Sequence, residues 1–307
     1  MSSDSPVPDA FEPAFVLGTG RCGSTLVHEI LARHAAVSFL SNFDDLDRVP
    51  WNTRLNGPLY RQLPNRLTQK GRIRFAPSEG YRILEREVSP MLTHPSRDLD
   101  ADDVTPWIAT RLDGLFRSVA QAQDRHHFLH KFTGWPRAAF LDEIFPRARY
   151  IHVVRDGRAV ANSWLQMPWW RGHRGPSEWH FGPLAEPYRD AWEASGRSFV
   201  ALAGIGWLIL LDAFDAAEAA IGPDRWLQVR YEDVVGAAAD EIRRMIEFLG
   251  LPWTPVFAAS VGSYRFSSAR RDGFRSDLTA SQVKQLDTLL GERLERLGYS
   301  LSPPGAP

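Results

Sequence analysis

The feature that most constrains this chain is a short apolar run, Phe15-Val16-Leu17, that enters a glycine-rich loop and then an amphipathic stretch. The loop reads Gly18-Thr19-Gly20-Arg21-Cys22-Gly23-Ser24-Thr25. From Ser24 to Arg33, Leu26, Val27, Ile30 and Leu31 recur at helical spacing, so the order is buried strand, loop, helix. Glycines let backbone N–H groups curl around an anion, and a helix N-terminus adds its dipole. Gly18 and Gly23 have the spacing of a nucleotide-hydrolysing P-loop, but Ser24 stands where that loop carries lysine. Arg21, inside the loop, supplies a cation with a planar fork suited to phosphate or sulfate oxygens. The pattern points to an anion other than a magnesium triphosphate. A P-loop nucleotide kinase is the alternative, and the missing lysine argues against it.

A second strand–helix junction lies at Tyr150-Ile151-His152-Val153-Val154-Arg155-Asp156-Gly157-Arg158-Ala159-Val160-Ala161-Asn162-Ser163. Arg155 leaves the carboxyl end of the strand, where open α/β sheets bind ligands. Ser163 follows eight residues later, about two helical turns on, and faces the same side as the helix start. Further strands are expected at 37–40, 128–131 and 226–229. Helices are expected at 105–123 (Thr105 as cap, Pro106 at the first position), 136–145, 156–165, 233–249 and 281–297 (Thr279 as cap), with a long helix or helix pair ending near Ala220. Residues 41 to 103 read as loops and short helices. Strands alternating with helices predict an α/β fold, a P-loop-like parallel sheet flanked by helices in a single domain. That domain is expected over 14–300, between a disordered segment 1–13 and a frayed tail 301–307.

At these residues the chain resembles the PAPS-dependent sulfotransferase family, PAPS being 3'-phosphoadenosine-5'-phosphosulfate. Its wording is closer to bacterial and carbohydrate-modifying members than to the cytosolic phenol enzymes. The resemblance implies that Gly20, Arg21, Cys22, Gly23, Ser24 and Thr25 hold the 5'-phosphosulfate, with Arg21 also stabilising the leaving oxygen, and that Arg155 and Ser163 hold the 3'-phosphate. Tyr231, in Arg230-Tyr231-Glu232-Asp233, is similar to a tyrosine close to the nucleotide. Arg270-Arg271-Asp272-Gly273 resembles a late basic loop over the 3'-phosphate, which adds Arg271 and Gly273. Where the phenol enzymes carry a basic histidine after lysine and threonine, this chain reads Lys131-Phe132-Thr133. The resemblance then implies a carboxylate base after the second strand: Asp44 or Asp45 first, Glu79 second, with His130 third. An Asp pair before Leu46 equally suits a helix start. Lys131 either neutralises the transferring group or is an exposed strand-end lysine. A module of the same fold that binds nucleotide without catalysis is a further alternative.

The implied reaction moves a sulfuryl group from PAPS to a hydroxyl, or an amine, of a small-molecule or carbohydrate acceptor. It is an in-line displacement that needs no metal. Trp164, Trp169, Trp170, Trp179 and Phe181 crowd one segment with Arg171, His173, Arg174 and His180. They form either an acceptor lid or a loop that buries its own aromatics. A net charge of −1 gives no case for nucleic-acid binding. The one cysteine excludes an internal disulfide and fits a reducing compartment. The first residues lack a signal-peptide pattern, and the longest apolar stretch, 201–211, reads as too short to span a bilayer. A cytoplasmic protein is expected.

Overall fold

A computed structural model describes residues 11–46, 51–64, 76–266 and 271–301. Its centre is one sheet of β1 (Glu12–Gly18), β2 (Val37–Ser38), β3 (His127–Thr133), β4 (Arg149–Val154) and β5 (Trp226–Arg230), in the order β2-β3-β1-β4-β5. Every pairing is parallel. The register sets Gly18 beside Thr133 and Val154 beside Arg230, so the loops after β1, β3, β4 and β5 share one edge. Strand β1 begins at Glu12; residues 12 and 13, read with the terminal segment, are paired with β3. Residues 1–10 and 302–307 lie outside the described residues.

Alternation along β1 sends Phe15 and Leu17 to one face and Ala14 and Val16 to the other. Both faces are covered, which is why these strands read as unbroken apolar runs. On the first face Phe15 packs against Phe116, Phe132, Phe145 and Tyr150. On the second lies α1 (Ser24–Leu31), whose Val27, Ile30 and Leu31 are fully buried.

Further helices are α2 (Asn56–Gln62), α3 (Tyr81–Glu87), α4 (Pro106–Ala122), α5 (Ala138–Ile144), α6 (Gly157–Leu165), α7 (Glu186–Ala194) and α8 (Phe199–Ile221). The chain continues with α9 (Tyr231–Gly236), α10 (Ala238–Phe248), α11 (Pro255–Gly262), α12 (Phe274–Asp277) and α13 (Ala280–Arg296). Thr105 caps α4 through Ile108 N, and Thr279 forms a capping box with Gln282 on α13.

Three expectations change. The helix expected over 233–249 is two helices, broken at Ala237 (φ −135°, ψ 51°). Glu232 ties α9 to Asp156 and Tyr299, while α10 turns Ile242, Met245 and Ile246 onto the sheet. Helix α11 was not expected; its start carries the Thr254 cap and Pro255, a signal legible in the sequence. The apolar stretch 201–211 extends into α8, 23 residues long with a mean hydropathy of 1.8 over an 18-residue window, so it is long and apolar enough to cross a bilayer. In this fold it is a core helix. Leu202, Ile205, Trp207 and Leu210 are fully buried, and Gly204 and Gly206 lie against Leu286 and Trp164.

Candidate active site

The shared carboxyl edge of the sheet opens into a cavity of about 800 Å³. Its first wall is the glycine-rich loop. Gly20 (φ 79°), Arg21 (φ 58°) and Gly23 (φ 96°) are left-handed, a conformation that turns successive amides toward one centre. Helix α1 follows with no side-chain cap, so its leading N–H groups are left for an anion. Only glycine fits position 23: a Cβ there would lie 2.2 Å from Cδ2 of Tyr231. The Cys22 side chain points away into the core, fully buried against Gly18. Of Cys22, the backbone alone is available to a ligand.

The two arginine motifs meet at this loop. Arg21 Nε donates to Ser163 Oγ at 2.8 Å. An Arg155 η-nitrogen donates to the Arg21 carbonyl at 2.9 Å, and its guanidinium stands 4.7 Å from the Tyr231 ring centroid. Arg21, Arg155 and Tyr231 line the cavity; Ser163 lies behind Arg21. Arg158, three residues beyond Arg155, turns inward to Asp156 and Asp287 and joins α6 to α13.

The opposite wall holds a buried ion pair. Lys131 Nζ donates to Glu79 Oε1 at 2.6 Å and to Thr25 Oγ1 at 2.8 Å. Thr133 Oγ1 donates to Glu79 Oε2 at 2.7 Å, and the Tyr81 hydroxyl donates to the same oxygen. Lys131 is not an exposed strand-end lysine: its side chain is 3% exposed, against 23% for Glu79. Burial pushes the Glu79 carboxyl up, but the Lys131 charge and the donors from Lys131, Tyr81 and Thr133 prevail and hold it at about 2. The same burial and the carboxylate push the Tyr81 hydroxyl far up. Glu79 reaches this wall because Ser78 N bonds the Leu40 carbonyl, which lays the segment along the end of β2. Behind the pair, Arg137 donates to the Thr133 carbonyl, and its backbone N–H donates to Asp98. Tyr81, Arg137 and Arg265 line the cavity without having been singled out in the sequence.

The other expected base residues lie elsewhere. Asp44 accepts from Ser41 N (2.7 Å), Ser41 Oγ (2.6 Å), Thr53 Oγ1 (2.6 Å) and Asn56 Nδ2 (2.6 Å). Its carboxylate is consumed in closing the turn after β2. Asp45 accepts from Ile83 N at 3.0 Å and caps α3. Neither lines the cavity. His130 is fully buried among Phe116, Phe128 and Phe132, and burial pushes its imidazole down to about 3.

Arg271 and Gly273 also stand off the cavity. They precede α12, which is fastened to α6 through Asp277 and Asn162, on the helix that carries Ser163. Arg270 lies outside the described residues. The tryptophan-rich segment divides between its two readings. Trp164, Trp169, His180 and Phe181 line the cavity, with Trp169 44% exposed. Trp170 is buried against Gly172, and Trp179 against Leu202 and Ile205. Trp135, opposite, meets Phe181 edge to face at 6.2 Å.

A parallel sheet whose carboxyl edge carries a glycine-rich loop with unpaired helix amides, two convergent arginines and a buried lysine–carboxylate pair is an arrangement suited to group transfer from an anionic donor. The model of the sulfotransferase family matches residues 13–255. The chain belongs to that family and is a bacterial-type sulfotransferase. It is 26% identical to the omega-hydroxy-beta-dihydromenaquinone-9 sulfotransferase of Mycobacterium tuberculosis, over 95% of this chain and 76% of that protein. Human carbohydrate sulfotransferase 2 is 27% identical over 49% of this chain and 34% of its own. The crystal structure of a Mycobacterium avium sulfotransferase superposes with a TM-score of 0.55 at 18% identity, over 95% of this chain and 78% of that one. The kinase and non-catalytic alternatives fall with this assignment.

Proposed function

We propose that the protein transfers the sulfuryl group of PAPS to the hydroxyl of an acceptor held against the aromatic wall. The observation that carries this reading is the meeting of the glycine-rich loop with Arg21 and Arg155 at one cavity, across from Lys131 and Glu79. In this reading the loop amides, Arg21, Ser24 and Thr25 hold the 5'-phosphate and the bridging oxygen, where charge builds as the S–O bond breaks. Arg155 holds the 3'-phosphate, with Ser163 supporting it through Arg21 and Arg271 and Gly273 contributing from the turn before α12. Tyr231 flanks the nucleotide.

Lys131 neutralises the sulfuryl oxygens, and Glu79 is the base. The acceptor oxygen bonds to sulfur, its proton passes to Glu79, and adenosine 3',5'-bisphosphate leaves. While paired with Lys131 the Glu79 carboxylate is a weak base; once the ammonium turns to the sulfuryl oxygens, it gains basicity where the proton must go. The reaction as read needs no metal. Trp135, Trp164, Trp169 and Phe181 favour an acceptor with an apolar or flat body. The names of the two curated relatives, a lipid quinone enzyme and a carbohydrate enzyme, leave both acceptor classes to be screened by mass spectrometry of sulfated products. A cytoplasmic location fits the single, buried, free cysteine.

Calorimetry with adenosine 3',5'-bisphosphate and with ADP tests the nucleotide. The bisphosphate is expected to bind at least tenfold more tightly, without magnesium. Equal affinities, or a magnesium requirement, would overturn the reading.

A further inference from the structure

Glu29 is a second carboxylate of this cavity, and its surroundings are the opposite of those around Glu79. It stands on α1 one turn beyond Thr25, so the two share a helix face. It is 4% exposed, yet it lines the cavity. No described residue donates a hydrogen bond to its carboxyl; only charges act on it. These are Lys131 from β3 and Arg33 from the turn after α1, while the Tyr60 hydroxyl of α2 donates to the Glu29 backbone carbonyl and Tyr264 beyond α11 accepts from Arg33. Both cations are engaged elsewhere. Lys131 is bonded to Glu79 and Thr25. Arg33 donates to Tyr264 Oη at 2.9 Å and to the Leu63 carbonyl at 3.0 Å. Burial therefore prevails over their attraction and raises the Glu29 carboxyl to about 7.

A carboxyl without donors, inside a cavity built for a polyanion, responds when that anion arrives. The incoming phosphates add like charge and draw the Lys131 ammonium, and both changes disfavour the carboxylate. We propose that Glu29 takes up a proton as the nucleotide binds, so that the loaded site holds one anionic carboxylate, Glu79, and one neutral carboxyl, Glu29. This rests on the bisphosphate reading above. Its consequence is a division of labour: a neutral Glu29 does not compete for Lys131, which is left to Glu79 and the transferring group.

The test needs no acceptor. Adenosine 3',5'-bisphosphate is titrated into the full chain at pH 7.5 in Hepes and in Tris, whose ionisation enthalpies differ, and the difference in heat counts protons. Wild type is expected to take up between about half a proton and one, and to lose roughly three- to tenfold in affinity from pH 7.5 to 8.5. Glu29→Gln is expected to remove that uptake and flatten that dependence. Glu29→Asp keeps a carboxyl there and is expected to retain a measurable uptake, which decides the matter if the Gln variant fails to fold. Undiminished uptake in Glu29→Gln, or loss of uptake in Glu29→Asp with binding intact, would overturn the proposal. A wild type that does not prefer the bisphosphate over ADP would instead overturn the nucleotide reading, and this inference with it.

Discussion

Neutralising Glu79 and Lys131 singly and together separates structural support from chemistry. The pair is short, at 2.6 Å, and Lys131 is 3% exposed. Removing one partner of a buried pair costs roughly 3–5 kcal/mol, because the other charge is left desolvated. Glu79→Gln strands the ammonium, which keeps the Thr25 hydroxyl; the 23% exposure of Glu79 lets water in. A loss of about 3 kcal/mol is expected. Lys131→Met leaves the carboxylate with its Thr133 and Tyr81 donors and should cost less, about 2 kcal/mol. The double variant strands no charge. Its loss should fall about 2 kcal/mol short of the sum of the single losses, as read by urea unfolding. In turnover with PAPS and an acceptor that the wild type sulfates, Glu79→Gln should lose about 10²–10⁴-fold in kcat, while bisphosphate affinity changes less than about threefold. Additive stabilities, within about 0.5 kcal/mol, would show that the two charges do not depend on each other. Turnover within about tenfold of wild type would remove Glu79 as the base.

Arg155→Ala should weaken bisphosphate binding by about 2–4 kcal/mol, since a charge-assisted contact to a partly desolvated phosphate is lost. A normal affinity with an early melt would reduce Arg155 to its bond with the Arg21 carbonyl. Gly23→Ala places a Cβ on the Tyr231 ring at a left-handed position and should lower bisphosphate affinity by more than about tenfold. Gly196→Ala, left-handed with nothing within 4 Å, is the control that should cost stability alone; equal binding losses in both would refute the steric argument. His130 and His152 are pushed down to about 3 by burial. The unfolded chain therefore binds more protons as pH falls below about 6.5. Their contribution is fully present above that value and should shrink by roughly 2 kcal/mol per histidine by pH 5. Urea unfolding of wild type and His152→Asn at pH 7.5 and pH 5 reads this: the change on acidification should differ between them by about 2 kcal/mol, and equal changes would contradict it.

What a local stretch encodes was legible. The strand–loop–helix at 15–33 and the arginine–serine spacing at 155 and 163 are fixed by consecutive residues. So was the doubly covered parallel sheet, because strands buried on both faces read as apolar runs between helical periods. The residues from 41 to 103 were not legible, since they hold no long period to fix their direction. Asp44, Asp45 and Glu79 are chemically alike in sequence.

Which carboxylate stands at the cavity is a matter of what the fold pairs it with. Asp44 and Asp45 were claimed by amides and hydroxyls of nearby turns and of α3. Glu79 was carried along the end of β2 to Lys131, 52 residues away. Glu29 was within reach of sequence reasoning, one turn past Thr25 on a helix already recognised. Its burial, however, comes from α2 and the segment after α11 closing on α1, which no spacing announces. The sequence by itself determined the sheet, the glycine-rich loop and the placing of Arg21 and Arg155 at strand ends, because these need only residues close along the chain. The tertiary structure alone decided which acids face a cation at the cavity and which cap a turn, because desolvation and donor supply belong to the packed molecule.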